Sequence, residues 1–294
     1  MSQLGKFLAF DVGGTTIKCG VINQNLELSG EEKFATNNNC NQHILKIIKT
    51  VSQQKMNQTK IDGIGISTGG IVNPADGSIS YAGPTIPNYT GTPLKAEVEK
   101  TTGLKVNVVN DVDAALLGEL LHGAVTDAAS VYCIALGTGI GGAFYTHGKL
   151  YGGANNQANS VGYMMYDRNS NTNFETRTST LALERELTEK FNLSPKEAFD
   201  VGAKHPTGKV QRTINRWIDQ LGANIANIIL ILDPEVFLIG GAVSAQENRI
   251  RKALETAISC YLPSHFMKTQ IRFASLRNRA ALYGAIYPFI QGGI

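Results

Sequence analysis

The chain is short of cysteine. Its 294 residues include four, Cys19, Cys40, Cys133 and Cys260, scattered without Cys-x-x-Cys spacing. That excludes the disulfide framework of small secreted domains and fits a reduced, cytoplasmic setting. Cys19 and Cys133 fall in strand-like runs and read as small core residues. No apolar stretch approaches about 18 residues, so no membrane-spanning helix is expected. No signal-peptide pattern opens the chain. An excess of one charge is missing too, since 27 basic against 24 acidic residues leave a net charge of +3. Without a basic run, nucleic-acid binding has no electrostatic footprint. The length suffices for two domains, and an apolar fraction of 43% is ordinary for a globular protein.

What the chain has is glycine in informative places. Phe7–Phe10 and Ile17–Ile22 read as paired strands around a tight Asp11-Val-Gly-Gly-Thr-Thr16 turn. Gly13 and Gly14 let the backbone approach a ligand and adopt positive φ. Their N–H groups, with the hydroxyls of Thr15 and Thr16, are candidate phosphate ligands, and Lys18 on the second strand joins them. Asp11 is an acceptor for magnesium held through water. An ordinary hairpin with a Gly-Gly turn is the plain alternative.

A second copy argues against that alternative. Ser130–Tyr145 again gives strand, glycine-rich turn and strand, with Gly137-Thr-Gly-Ile-Gly-Gly142 at the bend. Each copy runs on through a turn into a third strand. Such repetition is an architectural signal. It implies two related halves whose glycine turns face each other across a cleft, an arrangement suited to a nucleoside triphosphate.

Between the copies, Asn41–Gln54 reads as a helix, Ile61–Ser67 as a strand and Pro93–Thr101 as a helix with Pro in its first turn. Tyr81–Thr92 lacks periodicity and is expected to be an ordered, functional loop, with Asn88 as a candidate ligand-binding residue. Lys105–Val109 is a strand delivering Asn110-Asp111 at its carboxyl end, where open α/β sheets bind ligands. Asp111 is equally suited to capping the helix Val112–Leu121. In the second half, Gly152–Gly162 and Asp167–Asn173 read as loops. Thr178–Lys190, Gln211–Leu232 and Ala253–Tyr261 read as helices, Val236–Ile239 and Gln270–Ala274 as strands. Gly240-Gly241 makes a third glycine turn, and Ala280–Ile290 is a closing helix.

Together these segments resemble the ROK family of sugar kinases and repressors over the whole chain. The matching residues are Asp11-Val-Gly-Gly-Thr15, Asn110-Asp111, Gly137-Thr-Gly-Ile-Gly-Gly142 and Gly240-Gly241. The resemblance implies an α/β, actin-like/ribonuclease H-like ATPase superfold with two similar domains around a cleft. Residues 1–115 with 280–294 would form the sugar/phosphate domain and 116–279 the nucleotide domain. It implies ATP with Mg2+ as cofactors and Asp111 as the base for the sugar 6-hydroxyl. Asn110, Asp111 and Glu175 would hold the sugar. The turns at Gly13–Gly14 and at Gly137, Thr138, Gly139 and Gly141 would hold phosphates, with Gly240 and Gly241 near the nucleoside. A homodimer is expected, without nucleic-acid or membrane partners.

Two departures from the family pattern bear on the substrate. Where many members carry a zinc-binding histidine and a cysteine cluster, this chain has Ala158-Asn-Ser-Val-Gly-Tyr163 and no cluster, so no zinc site is expected. Tyr163 resembles a zinc-free branch of β-glucoside kinases and bacterial N-acetylmannosamine kinases, and segments 81–89 and 110–119 look most like the latter. Ser160 stands where the family has a glutamate contacting hydroxyls near the anomeric end. A buried glutamate facing a blocked hydroxyl would lose a partner at a cost of about 1–3 kcal/mol; serine avoids that and opens space. The expected activity is therefore 6-phosphorylation of a glucose-type sugar, a β-glucoside such as cellobiose ahead of N-acetylmannosamine or glucose. ROK repressors carry a helix-turn-helix before the first glycine turn, and only about six residues precede the strand that leads into it here. A non-catalytic sugar sensor is the remaining class.

Overall fold

The computed structural model describes residues 5–292. The chain divides into two compact units. The first runs to Thr126 and adds Gly152–Ala158 and the segment from Asn278 onward; the second comprises Asp127–Tyr151 and Asn159–Arg277.

In the first unit β1 (Lys6–Val12), β2 (Thr16–Asn23) and β3 (Leu28–Ala35) form an antiparallel meander. β4 (Gly63–Thr68) pairs parallel to β1. A small ribbon of β5 (Ile71–Val72) and β6 (Ile79–Tyr81) follows, then β7 (Val106–Asn110) parallel to β4. The sheet order is β3-β2-β1-β4-β7. The runs Phe7–Phe10 and Gly63–Thr68 are buried throughout, as central strands covered on both faces must be. α1 (His43–Gln58) lays Ile44, Leu45, Ile48 and Val51 into this core. α2 (Leu94–Thr102) and α3 (Asp111–His122) complete the first pass.

The second unit repeats the scheme. β8 (Val131–Leu136), β9 (Ile140–Thr146) and β10 (Lys149–Leu150) form a meander, and β11 (Val236–Gly241) and β12 (Gln270–Phe273) extend it in parallel. Its order, β10-β9-β8-β11-β12, matches that of the first unit strand for strand. The helices are α4 (Phe174–Thr178), α5 (Thr180–Phe191), α6 (Pro195–Lys204), α7 (Lys209–Leu232) and α8 (Glu247–Cys260). The buried face of α7, including Ile214, Trp217, Leu221 and Ile225, shares a core with Phe174, Phe199 and Phe237. The chain then returns to the first unit as α9 (Ala280–Ala285) and α10 (Tyr287–Ile290).

Several elements differ from their expected form. α6 has no counterpart in the sequence reading, although Ser194-Pro-Lys-Glu197 forms a complete capping box with Pro at the first turn. The expected helix from Asn41 begins two residues later, because Asn37, Asn38, Asn39, Asn41 and Gln42 all take positive φ, which asparagine tolerates better than most residues. Pro93 lies just before α2 rather than inside it. The closing helix breaks at Ile286, whose ψ is near zero, and Pro288 then opens the final turn.

Candidate active site

In the first unit, strand register gathers the motifs. Asp11 pairs with Ser67 and Thr68 with Asn110, so β1, β4 and β7 end side by side. The turn after β1, Gly69-Gly70 after β4, and Asn110-Asp111 after β7 therefore meet at one end of the sheet. Asp11 also faces Lys18 across the hairpin. Lys18 Nζ donates to Asp11 Oδ2 at 3.0 Å, and Ser67 Oγ donates to Oδ1 at 3.3 Å.

The first glycine turn departs from expectation in one respect. Neither Gly13 nor Gly14 is among the residues with positive φ. Gly13 N–H closes the turn on Thr16 O at 2.9 Å, so it is not the free donor envisaged for phosphate. Gly14 is demanded by space instead, since an added Cβ would stand 3.0 Å from Thr85 O. Thr15 Oγ1 and Thr16 Oγ1 lie 3.4 Å apart at the turn.

Asn110, not Asp111, caps α3. Its Oδ1 accepts from Val112 N at 2.9 Å and Asp113 N at 3.3 Å, while its Nδ2 donates to Gly70 O at 2.9 Å. The amide is thus fixed in orientation, and the neighbouring Asp111 is freed from capping. Asp111 Oδ1 accepts from Val112 N at 3.0 Å. Oδ2 lies beside Gly69, where an added Cβ would sit 3.8 Å away. Asp111 is solvent-exposed as a residue, yet protein packed around its carboxyl withdraws water, and the Asp11 charge adds repulsion. Together they push its pKa up to about 6. Asp113 is pushed up to about 7, by burial first and the Asp111 charge second.

Asn88 sits at the exposed tip of an ordered loop, with φ of 55°. Beneath it Tyr89 is buried and accepts a hydrogen bond from Thr68 Oγ1 at 3.1 Å. Asn39 is only 2% exposed; its Nδ2 donates to Asn88 O at 3.0 Å and its Oδ1 accepts from Ile44 N at 3.1 Å. Ser67, Gly69, Gly70 and Asn39 were not among the residues expected at the site. Ser67-Thr-Gly-Gly70 at a strand end was a legible signal; Asn39 acts across 49 residues of chain and was not.

In the second unit, Gly240 pairs with Ala135 and Gly241 with Leu136, so the second and third glycine turns lie side by side. Gly241 has φ of 83° and abuts Leu136 backbone where a Cβ would clash, so only glycine suits it. Thr138 is exposed at the tip of its turn, and Gly141 lies in β9 paired with Ala135. Glu175 lies inside the short α4. Its Oε2 accepts from Ile140 N at 2.8 Å, and a Cβ on Gly139 would stand 2.6 Å from the same oxygen. Glycine at 139 thus makes room for the Glu175 carboxylate. Ser160 opens a tight turn in which Tyr163 N donates to Ser160 O at 3.2 Å. A Cβ on Gly162 would stand 3.0 Å from Glu175 Oε2. Ser160, Tyr163, Glu175 and the Gly137–Gly142 turn are therefore one local cluster.

A cavity of about 660 Å³ in this unit is lined by α6, α7 and α8, including Phe199, Lys204, Gln211, Ile214, Ile218 and Asn248. Among the described residues, no helix is long and apolar enough to cross a membrane.

The family model described as "ROK family" matches residues 7–291. An uncharacterized protein of Clostridium perfringens is 35% identical, the match covering 97% of this chain and 98% of that protein. A beta-glucoside kinase of Listeria monocytogenes is 30% identical over 97% of this chain and 98% of its own. Among solved structures, a ROK family glucokinase from Streptomyces griseus in complex with glucose and AMPPNP superposes with a TM-score of 0.77 at 27% identity, covering 96% of this chain and 98% of that one. The architecture is accordingly the actin-like ATPase fold.

Proposed function

The chain belongs to the ROK family, and from that premise we propose that it is an ATP-dependent sugar kinase acting on the 6-hydroxyl of a glucose-type sugar, with a β-glucoside such as cellobiose preferred. The observation that carries the reading is Asp111, a carboxylate released from capping by Asn110 and raised to about 6. A base with that pKa is ionised at neutral pH yet basic enough to accept a hydroxyl proton. In the proposed step Asp111 takes the proton of the sugar O6–H as that oxygen bonds to the terminal phosphorus of ATP. The bond from phosphorus to the bridging oxygen breaks, and ADP leaves.

The other residues orient and bind. Lys18, Thr15, Thr16, Gly14 and the Gly137–Gly141 turn are the phosphate contacts in this reading. The cavity beside α7 is of a size suited to a nucleoside, in the unit that carries Gly240 and Gly241. Magnesium fits Asp11, because it keeps most of its waters and needs only one or two carboxylates. The mutual repulsion of Asp11 and Asp111 is what a cation would relieve. When bound it neutralises phosphate charge during transfer. Asn88, Asn110 and Glu175 are the sugar contacts.

Ser160 carries the glycoside preference, since a short neutral side chain leaves room for a substituent at C1. The 30% identical beta-glucoside kinase supports the same choice. The test is ADP release measured over cellobiose, methyl β-glucoside, glucose and N-acetylmannosamine. The reading expects kcat/KM for cellobiose at least equal to that for glucose. Efficient turnover of N-acetylmannosamine with none of any glycoside would transfer the assignment to that sugar. No turnover of any sugar would leave a sensor.

A further inference from the structure

Beyond the turn that Ser160 opens, the chain spends apolar surface on solvent. Tyr163 is 75% exposed, Met165 53% and Tyr166 60%, three large side chains within four residues. Large apolar side chains left in solvent this close together along the chain are candidates for an interaction site.

The segment that carries them is firmly built. Arg177 reaches back from α4, with Nη2 donating to Met165 O at 2.6 Å and Nη1 to Thr172 Oγ1 at 2.8 Å. Asp167 and Thr172 exchange both backbone hydrogen bonds, at 2.8 and 3.3 Å. The Asp167 carboxylate accepts from Ser170 Oγ at 2.6 Å and Asn169 N at 3.0 Å. Tyr166 OH donates to Asn171 Oδ1 at 2.8 Å, which tethers the far end of its ring. Phe174 N, at the start of α4, donates to Met164 O at 2.9 Å. The same helix carries Glu175. The backbone that carries these side chains, and the ring of Tyr166, are thus held in place relative to the Ser160–Glu175 cluster, so Tyr166 has little conformational freedom to lose on binding.

We propose that Tyr163, Met165 and Tyr166 form a subsite for the aglycone of a β-glucoside, and that they stack on the apolar face of its second sugar ring. This rests on the reading that Ser160 faces the anomeric end of the phosphorylated sugar. A β-linked glucose ring carries its hydroxyls around the edge and only C–H groups on its faces. It therefore matches a tyrosine ring face to face, with polar groups meeting at the rim. Met165 supplies a soft filler between two rings. Arg168, Asn169 and Asn171, all at the surface, border the patch with donors and acceptors for edge hydroxyls. A methyl aglycone is too small to cover such a surface; a second pyranose is not.

The experiment compares kcat/KM for cellobiose, methyl β-glucoside and glucose in wild type, Tyr166→Ala, Tyr166→Phe and Met165→Ala, with melting temperature recorded for each. Tyr166→Ala is expected to lower the cellobiose-to-glucose ratio on the order of tenfold, through a raised KM for cellobiose. The ratio of methyl β-glucoside to glucose should move less than about twofold. Tyr166→Phe keeps the ring and should recover most of the cellobiose preference. If Tyr166→Ala depresses all three acceptors in proportion at an unchanged melting temperature, the subsite is wrong while the glycoside reading stands. If wild-type protein accepts no β-glucoside, the glycoside reading fails and the subsite falls with it.

Discussion

At the scale of the residue, the carboxyl of Asp111 has opposite consequences for activity and stability. Asp111 has a folded pKa of about 6 against an ordinary value of 3.8. Between those values the folded chain holds a proton that the unfolded chain releases. This contribution to stability is complete below the ordinary value and is lost as pH rises through about 6. The proposed base works only once that proton is gone. kcat/KM should therefore fall as pH drops below about 6, and a profile flat from pH 5 to 8 would remove Asp111 from the role. Asp111→Asn should cut kcat by about 10²–10⁴. The same variant should melt higher than wild type at pH 8, with the gap closing towards pH 4. Calorimetry across that range reads the second effect, and a melting point lowered at pH 8 would show that the carboxylate is stabilised there. Asp113→Asn should raise the melting temperature in the same direction, since its carboxyl is pushed up to about 7 by burial and by Asp111.

At the scale of the element, two loops and a helix pair set the frame. The run of left-handed asparagines before α1 places Asn39 under the loop that ends in Asn88. Asn39→Ala leaves Ile44 N and Asn88 O without their partner, at about 1–3 kcal/mol. It should also raise KM for sugar more than KM for ATP. Equal shifts in both constants would make Asn39 a purely structural residue. α3 and α9 cross at two glycines. An added Cβ on Gly118 would meet Ala280 O, and one on Gly284 would meet Ala114 O, both well inside van der Waals contact. Gly284→Ala should therefore cost about 1–3 kcal/mol by overpacking, read as a lower midpoint in urea. A neutral substitution would mean that the helices separate without penalty. The long amphipathic α7 was readable from its period. α6 was not, because its apolar positions Ala198 and Phe199 are few and its cap was the only strong signal. Asn110 and Asp111 were both legible as functional, but which of them caps α3 depends on side-chain orientation, which spacing does not encode.

At the scale of the whole molecule, the two units share one strand order, and each supplies its own glycine turns. The proposed activity needs magnesium, because phosphate charge must be neutralised during transfer. Removing divalent metal with EDTA should abolish ADP release, and magnesium should restore it. A chelator selective for zinc should leave the rate unchanged. Loss of activity with zinc, and its recovery on zinc addition, would reverse the zinc-free expectation for Tyr163.

The sequence by itself determined the duplicated meander, the glycine turns, the family and the placing of Asn110-Asp111 at a strand end. Those features rest on local periodicity and on residue types with narrow backbone roles. The tertiary structure decided what crossed long stretches of chain. It tied Asp11 to Lys18 and Ser67, set Glu175 against Gly139 and Ile140, and braced the aromatic loop with Arg177. It also reversed the reason for Gly14, which answers to Thr85 rather than to a left-handed φ. Hydrogen bonds and van der Waals contact act over a few ångströms, and only folding decides which distant residues come within that range.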